Sequence, residues 1–295
     1  MSKPTIGFIG LGLMGAAMVG RLQDHGYALV ALGNTNRTGI EEAIARGATE
    51  AASAADLARK SDIIMLCVGT SDQVESRMLG EDGVIAGLNP GAVVIDFGTS
   101  LPGSTRMLGE KVSSAGGAML DAPLGRTPAH AKDGLLNIMC AGDARAYETV
   151  KPVLDDLGEN VFHLGDLGAG HTVKLINNFF GMTVANAMCE AFAMADLAGV
   201  PRQSLYDVMS AGPLHSGMMD FVSGYALQGD PAQLAFAIRN ASKDVNYYSQ
   251  MASALGADSI MSTSAKNALS DAVKDGRGDD MVSQMLDYYR ARFDG

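Results

Sequence analysis

The chain has 295 residues, 47% of them hydrophobic, with 22 basic side chains and a net charge of −11. A thin basic complement excludes a nucleic-acid surface, and there is no polybasic run, basic amphipathic helix or bilayer-spanning apolar stretch to indicate a membrane partner. The length exceeds the roughly 250 residues at which single cores stop growing, so two domains are expected.

Cys67, Cys140 and Cys189 are far apart in apolar surroundings, which suits reduced core thiols rather than disulfides or a zinc site. The five histidines show no ligand spacing, so no metal is predicted. Met1-Ser2-Lys3-Pro4 leads straight into an apolar run, which gives no secretion signal and places the protein in the cytoplasm.

Residues 5–18 read as strand, tight turn and helix. Gly10 allows the turn, Gly12 lets backbone amides approach a pyrophosphate, and Gly15 lets the helix pack close to the strand. Gly10, Leu11, Gly12, Leu13, Met14 and Gly15 are thus candidate dinucleotide contacts, with the phosphates at the positive end of the helix.

A second strand from Tyr27 to Leu32 stops at Gly33-Asn34-Thr35-Asn36-Arg37-Thr38. No Asp or Glu lies between Tyr27 and Thr38 to bond an adenosine ribose hydroxyl. NADP is therefore favoured over NAD, with Asn34, Arg37 and Thr38 as candidate contacts and Arg37 and Thr38 as ligands of a 2′-phosphate.

Short helices over 41–46 and 51–59 precede a buried strand, residues 62–68, whose end delivers Val68 and Gly69 to the edge where open parallel sheets bind ligands. Strands at 92–96 and 118–121 repeat the pattern and lead to Thr99 and to a loop from Leu124 to Asp133. That loop sets Gly125, Arg126 and Thr127 between two prolines. An arginine fork beside a hydroxyl suits a carboxylate, sulfonate or phosphate, whereas His130 reads as a surface residue.

Strands at 135–140 and 160–164 flank a helix over 144–157. From Gly165 the pattern turns helical, and the segment Ala169–Ala198 predicts one helix on the order of 40 Å long, enough to link two domains. Helical segments follow at 204–210, 218–227, 241–255, 261–274 and 280–293. The long helix is apolar on nearly every side, so a homodimer or homotetramer is expected. Near its start Lys174, Asn177 and Asn178 share a face, while Val173 and Ile176 turn elsewhere. A partly desolvated lysine there suits proton exchange with a substrate oxygen, and spacing alone equally describes a solvated stripe or a lysine paired with a local carboxylate. Lys243-Asp244 is a weaker signal of the same kind.

Four stretches together resemble the β-hydroxyacid dehydrogenase family, which includes 3-hydroxyisobutyrate dehydrogenases: residues 7–15, Asp96 to Thr99, Asp121-Ala122-Pro123 with the Gly-Leu-Leu run beyond it, and Gly170 to Asn178. Lys243-Asp244 is a fifth match. The resemblance implies that Lys174 is catalytic, that Asn177 and Asn178 orient substrate, that Lys243 lies near the nicotinamide, and that Thr99 contacts cofactor and substrate. Gly125-Arg126-Thr127 stands where most of the family carries Ser-Gly-Gly, and it resembles the sulfolactaldehyde reductase branch. Gly98 and Gly181 stand where serines are usual in the family and in that branch respectively.

The expected architecture is α/β: a doubly wound parallel Rossmann sheet in residues 1–165, then an all-α substrate and oligomerisation domain in 166–295. The expected activity is NAD(P)-dependent interconversion of a terminal hydroxyl and an aldehyde on a small anionic hydroxy acid or aldehyde acid. An imine reductase and a non-catalytic dinucleotide-binding protein are the alternatives.

Overall fold

A computed structural model describes residues 3–294 and divides into two compact units, Met1–Lys174 and Leu175–Gly295. Met1 and Ser2, which open the expected leaderless start, lie outside the described residues.

The first unit alternates strands and helices: β1 (Ile6–Ile9), α1 (Leu13–Asp24), β2 (Leu29–Leu32), α2 (Thr38–Ala45), β3 (Thr49–Glu50), α3 (Ala54–Arg59), β4 (Ile63–Leu66), α4 (Ser71–Met78), β5 (Val93–Asp96), α5 (Pro102–Ser114) and β6 (Ala118–Asp121). There follow β7 (Leu124–Gly125), α6 (Pro128–Asp133), β8 (Leu136–Gly142), α7 (Ala144–Leu157) and β9 (Gly158–His163). Strands run in the order β3-β2-β1-β4-β5-β6-β8-β7, with β9 paired to β8. Pairings from β3 to β6 are parallel, and β8 returns antiparallel beside β6. This is the doubly wound Rossmann arrangement, and its switch point lies between β1 and β4.

Burial on both faces explains the near-continuous apolar strands. Ile6, Phe8, Ile63, Met65, Val93 and Ile95 pack to one side against α1 and α7, whereas Ile9, Ile64, Leu66 and Val94 alternate to the other against α3, α4 and α5. Each fully buried side chain of this size contributes roughly 1.5–3 kcal/mol.

The residues 124–133, expected as a loop, hold β7 and α6 instead. Pro128 sits in the first turn of α6, where its missing N–H costs nothing, and Gly134 closes it at φ +72°. The edge strand β3 was not expected, being only two residues long. Helix α3 starts three residues later than the pattern predicts because the Ser53 hydroxyl accepts from the Asp56 N–H at 3.1 Å and caps it.

Helix α8 (Ala169–Leu197) runs out of the first unit and supplies the spine of the second, which adds α9 (Arg202–Ser210), α10 (Gly217–Gln228), α11 (Ile238–Ala254), α12 (Ile260–Ala272) and α13 (Met285–Phe293). Met182, Ala185, Cys189 and Phe192 follow the helical period into that unit's core. The expected helix over 261–274 stops at Ala272, where a π turn carrying Gly276 at φ +82° takes over. No helix among the described residues is long and apolar enough to cross a membrane.

Candidate functional site

At the switch point, Gly10 has φ +100°, and a Cβ there would lie 2.3 Å from the Cys67 carbonyl oxygen. A Cβ on Gly15 would lie 1.9 Å from the Gly10 carbonyl oxygen. Only glycine permits this close strand–turn–helix packing. Gly12 faces open space, so its amide stays accessible at the N-terminus of α1. A cavity of about 240 Å³ lies beside this turn, lined among others by Gly10, Leu11, Gly12, Gly33, Asn34 and Val68. The bare backbone, the helix end and the cavity fit a dinucleotide pyrophosphate. Leu13 begins α1 at 85% exposure, and Met14 packs partly against the core.

The end of β2 holds a group that reading the segment 27–38 could not find. Glu50, carried in by β3 in register with Ala31, takes both arms of the Arg37 guanidinium, Nη1 to Oε1 at 2.7 Å and Nη2 to Oε2 at 2.9 Å. Arg37 holds the Glu50 carboxyl below the usual range through that hydrogen-bonded fork. The Thr38 N–H is taken by the Asn36 side chain at 3.0 Å. An acidic group therefore stands at this strand end after all, and Arg37 meets it directly.

Gly69 follows β4, where its N–H donates to Gln73 at 2.8 Å. Thr99 follows β5 inside a turn fixed by buried Asp96, which accepts from the Gly98 N–H at 2.8 Å and from the Ser100 hydroxyl at 2.7 Å. One strand further, buried Asp121 accepts the Gly168 N–H at 2.7 Å and the His171 N–H at 2.6 Å, binding the start of α8 to the end of β6. Burial pushes the Asp121 carboxyl up, while His171 and the backbone donors pull it down.

His171 is fully buried, with Nδ1 2.8 Å from the Thr105 hydroxyl and both ring nitrogens 3.7 Å from a carboxylate, Asp96 on one side and Asp121 on the other. This cluster fixes the helix turn that presents Lys174, and sequence spacing gave no sign of it. Lys174 itself is half-buried.

The Gly-Arg-Thr stretch is strained. Arg126 has φ +76°, the one non-glycine positive value among the described residues. It stands in a backbone conformation that glycine adopts freely and that costs an arginine about 1–3 kcal/mol. Its Nη1 reaches the Leu135 carbonyl at 2.7 Å and Glu159 of β9 at 2.5 Å. The Thr127 hydroxyl lies 2.8 Å from His130 Nδ1. Gly125 pairs with Asn137 across the β7–β8 ladder.

In the second unit Asn178 is buried and donates to Asp244 Oδ2 at 2.6 Å, while Lys243 pairs with Asp244 Oδ1 at 3.0 Å and lies 5.3 Å from the Tyr247 ring centroid. Asp244, 2% exposed, thereby orients both residues. Asn177 Nδ2 donates to the Asn178 side-chain Oδ1 at 3.1 Å. It is exposed, as are Val173 and Ile176, whereas Lys174 is half-buried and Asn178 buried. Among the described residues no group of three or more metal-ligating side chains is assembled.

Two family models cover the chain: the NAD binding domain of 6-phosphogluconate dehydrogenase over residues 5–165, and the NAD-binding domain of NADP-dependent 3-hydroxyisobutyrate dehydrogenase over 168–289. The chain is 31% identical to the 3-sulfolactaldehyde reductase of Escherichia coli K12 over 97% of its own length and 96% of that protein's. It is 35% identical to an NAD-dependent L-serine dehydrogenase of Pseudomonas aeruginosa, over 69% of this chain and 68% of that one. A crystal structure of a 3-hydroxyisobutyrate dehydrogenase from Salmonella typhimurium superposes with a TM-score of 0.82 at 27% identity, covering 97% of this chain and all of that one. With the glycine turn at the switch point and the helical second unit, these matches make the chain a member of the 3-hydroxyisobutyrate dehydrogenase family of NAD(P)-dependent oxidoreductases.

Proposed function

We propose that this enzyme reduces the aldehyde of a small aldehyde acid, or oxidises the matching terminal hydroxyl, with Lys174 as the proton-exchanging group. The carrying observation is the placement of Lys174 on α8. Asp121 locks the helix start three residues before it, and Asn178, four residues after it, is held by Asp244. A half-buried ammonium so fixed suits the oxygen that gains charge as the carbonyl is reduced, and it donates the proton that the alkoxide takes up. The bound nicotinamide supplies or accepts the hydride.

Residues 10–15, Asn34, Val68, Gly69, Thr99 and Lys243 are the proposed cofactor contacts, Thr99 also meeting the substrate. Gly125, Arg126, Thr127, Asn177 and Asn178 are proposed to hold the acid. The strained backbone of Arg126 supports that role: the position takes glycine more cheaply, so a side chain kept there has a use. A sulfonate suits the same guanidinium as a carboxylate, and the likeness to a sulfolactaldehyde reductase favours including it. Arg37 and Thr38 favour NADP; Glu50 opposes it. Residues 1–165 and 166–295 are proposed as the dinucleotide-binding and the substrate and oligomerisation domains. The exposed Val173, Ile176 and Phe180 on α8 support a homodimer or homotetramer.

The test follows reduced-nicotinamide absorbance with NADPH and NADH against succinic semialdehyde, tartronate semialdehyde and sulfolactaldehyde. Turnover of at least one is expected, and Lys174→Ala should lower kcat by about 10²–10⁴-fold while cofactor binding persists. Near-normal turnover in the variant sinks the assignment of Lys174. Silence of the native enzyme across the panel returns it to an imine reductase or a non-catalytic binder.

A further inference from the structure

We propose that Glu50 is the specificity-determining residue for the 2′ position of the dinucleotide: by taking the Arg37 fork, it restrains the preference for NADP over NAD. The inference rests on the assignment of a nicotinamide dinucleotide to the ends of β1, β2 and β4.

Three observations carry it. The two side chains meet arm to arm, at 2.7 and 2.9 Å, which uses the bidentate face that a phosphate monoester also requires. The pair lies directly over Gly33. A Cβ at that position would be 2.4 Å from both Arg37 Nη1 and Glu50 Oε1, and Gly33 itself lines the 240 Å³ cavity beside the glycine turn. Among the described residues Glu50 has no other cation within ion-pair distance, and its strand is only two residues long, so its carboxylate does little for the sheet.

The two cofactors meet this pair differently. A 2′-phosphate dianion must share Arg37 with a carboxylate already seated on it, and it places like charges side by side. A free 2′-hydroxyl is a donor, and the Glu50 carboxylate accepts from it as the acidic group at a strand end does in NAD-binding sheets. The same carboxylate thus weakens one cofactor and welcomes the other. Its place on β3, not β2, is why no acid appears in the segment where it is ordinarily sought.

The experiment titrates the full-length protein with NADPH and with NADH, reading nicotinamide fluorescence, and compares the ratio of the two dissociation constants. Glu50→Gln keeps the side-chain volume and removes the charge. It should shift the ratio toward NADPH by about tenfold or more, which corresponds to about 1.4 kcal/mol. In an Arg37→Ala background the same substitution should shift the ratio clearly less, because only the direct effects of the carboxylate on the two cofactors remain.

An unchanged ratio, a shift toward NADH, or equal weakening of both cofactors in Glu50→Gln overturns the proposal. So does a full shift that survives without Arg37. The readout is binding, so failure of the aldehyde panel leaves it standing, and failure to bind either dinucleotide overturns both readings together.

Discussion

Two arginines, Arg37 and Arg126, fit anion ligands by sequence, and each meets a glutamate, Glu50 of β3 or Glu159 of β9. Their backbones differ. Arg37 lies in ordinary right-handed space at φ −89° before α2, whereas Arg126 is held at φ +76°. The first arginine costs the fold nothing, so its presence alone says little. The second occupies a glycine conformation, and the ion pair it makes is half-exposed, of a kind worth about 0–1 kcal/mol and too weak to offset the strain. A strained position whose contacts in the fold are this pair and one hydrogen bond to the Leu135 carbonyl leaves the guanidinium room for a ligand.

The largest effect that sharpens this contrast is on the acid. Arg126→Ala should raise KM for the accepted aldehyde acid about 100-fold, with the dissociation constants of both cofactors unchanged. Arg37→Ala should leave the acid alone and weaken NADPH about tenfold. Steady-state kinetics and fluorescence titration on the two variants check this. Equal effects on the acid would break the comparison.

A smaller effect reads the backbone itself. At position 126 both Ala and Gly lose the side-chain contacts, so their difference isolates the conformation. The Gly variant should melt roughly 2–4 °C above the Ala variant, about 1 kcal/mol. At position 37 the order should reverse, since a right-handed residue favours Ala. Calorimetry of the four variants decides it, and no gain for glycine at 126 would remove the strain argument.

Glu159→Gln should do less still. It relieves Arg126 of its carboxylate while keeping a hydrogen-bond acceptor, and should lower KM for the acid about two- to threefold, most visibly at low salt.

The smallest effect concerns pH. Arg37 holds the Glu50 carboxyl low. A lowered carboxyl keeps its pairing above the unfolded value and loses it only as pH falls through the folded one. The cofactor ratio contributed by Glu50 should therefore stay flat from about pH 7 to 9, above the second ionisation of a phosphate monoester near pH 6. A slope in that range that vanishes in Glu50→Gln would show a carboxyl titrating where this structure has none.

What the sequence reveals about this molecule is what lies close along the chain. Gly10, Gly12 and Gly15 announce their turn because one local backbone geometry demands all three. The helical stretch around Lys174 declares its spacing for the same reason, although exposure then separates Asn177 from Asn178. Glu50, Glu159 and the triangle of His171, Asp96 and Asp121 are different. Each acts through a neighbour set by strand order, and neither spacing nor composition encodes which strands lie side by side. The segment after β6 misled for a local reason: two prolines and a glycine mark a loop equally well as the start of a short capped helix.

Asp121 has one more consequence. Because it anchors α8 from the end of β6, before the strained stretch begins, the position of Lys174 does not depend on residues 125–127. The proposed reactive group and the proposed recognition loop are mechanically separate parts. On that proposal such a chain can exchange one small acid for another by rewriting three neighbouring codons, with its proton donor left where it was.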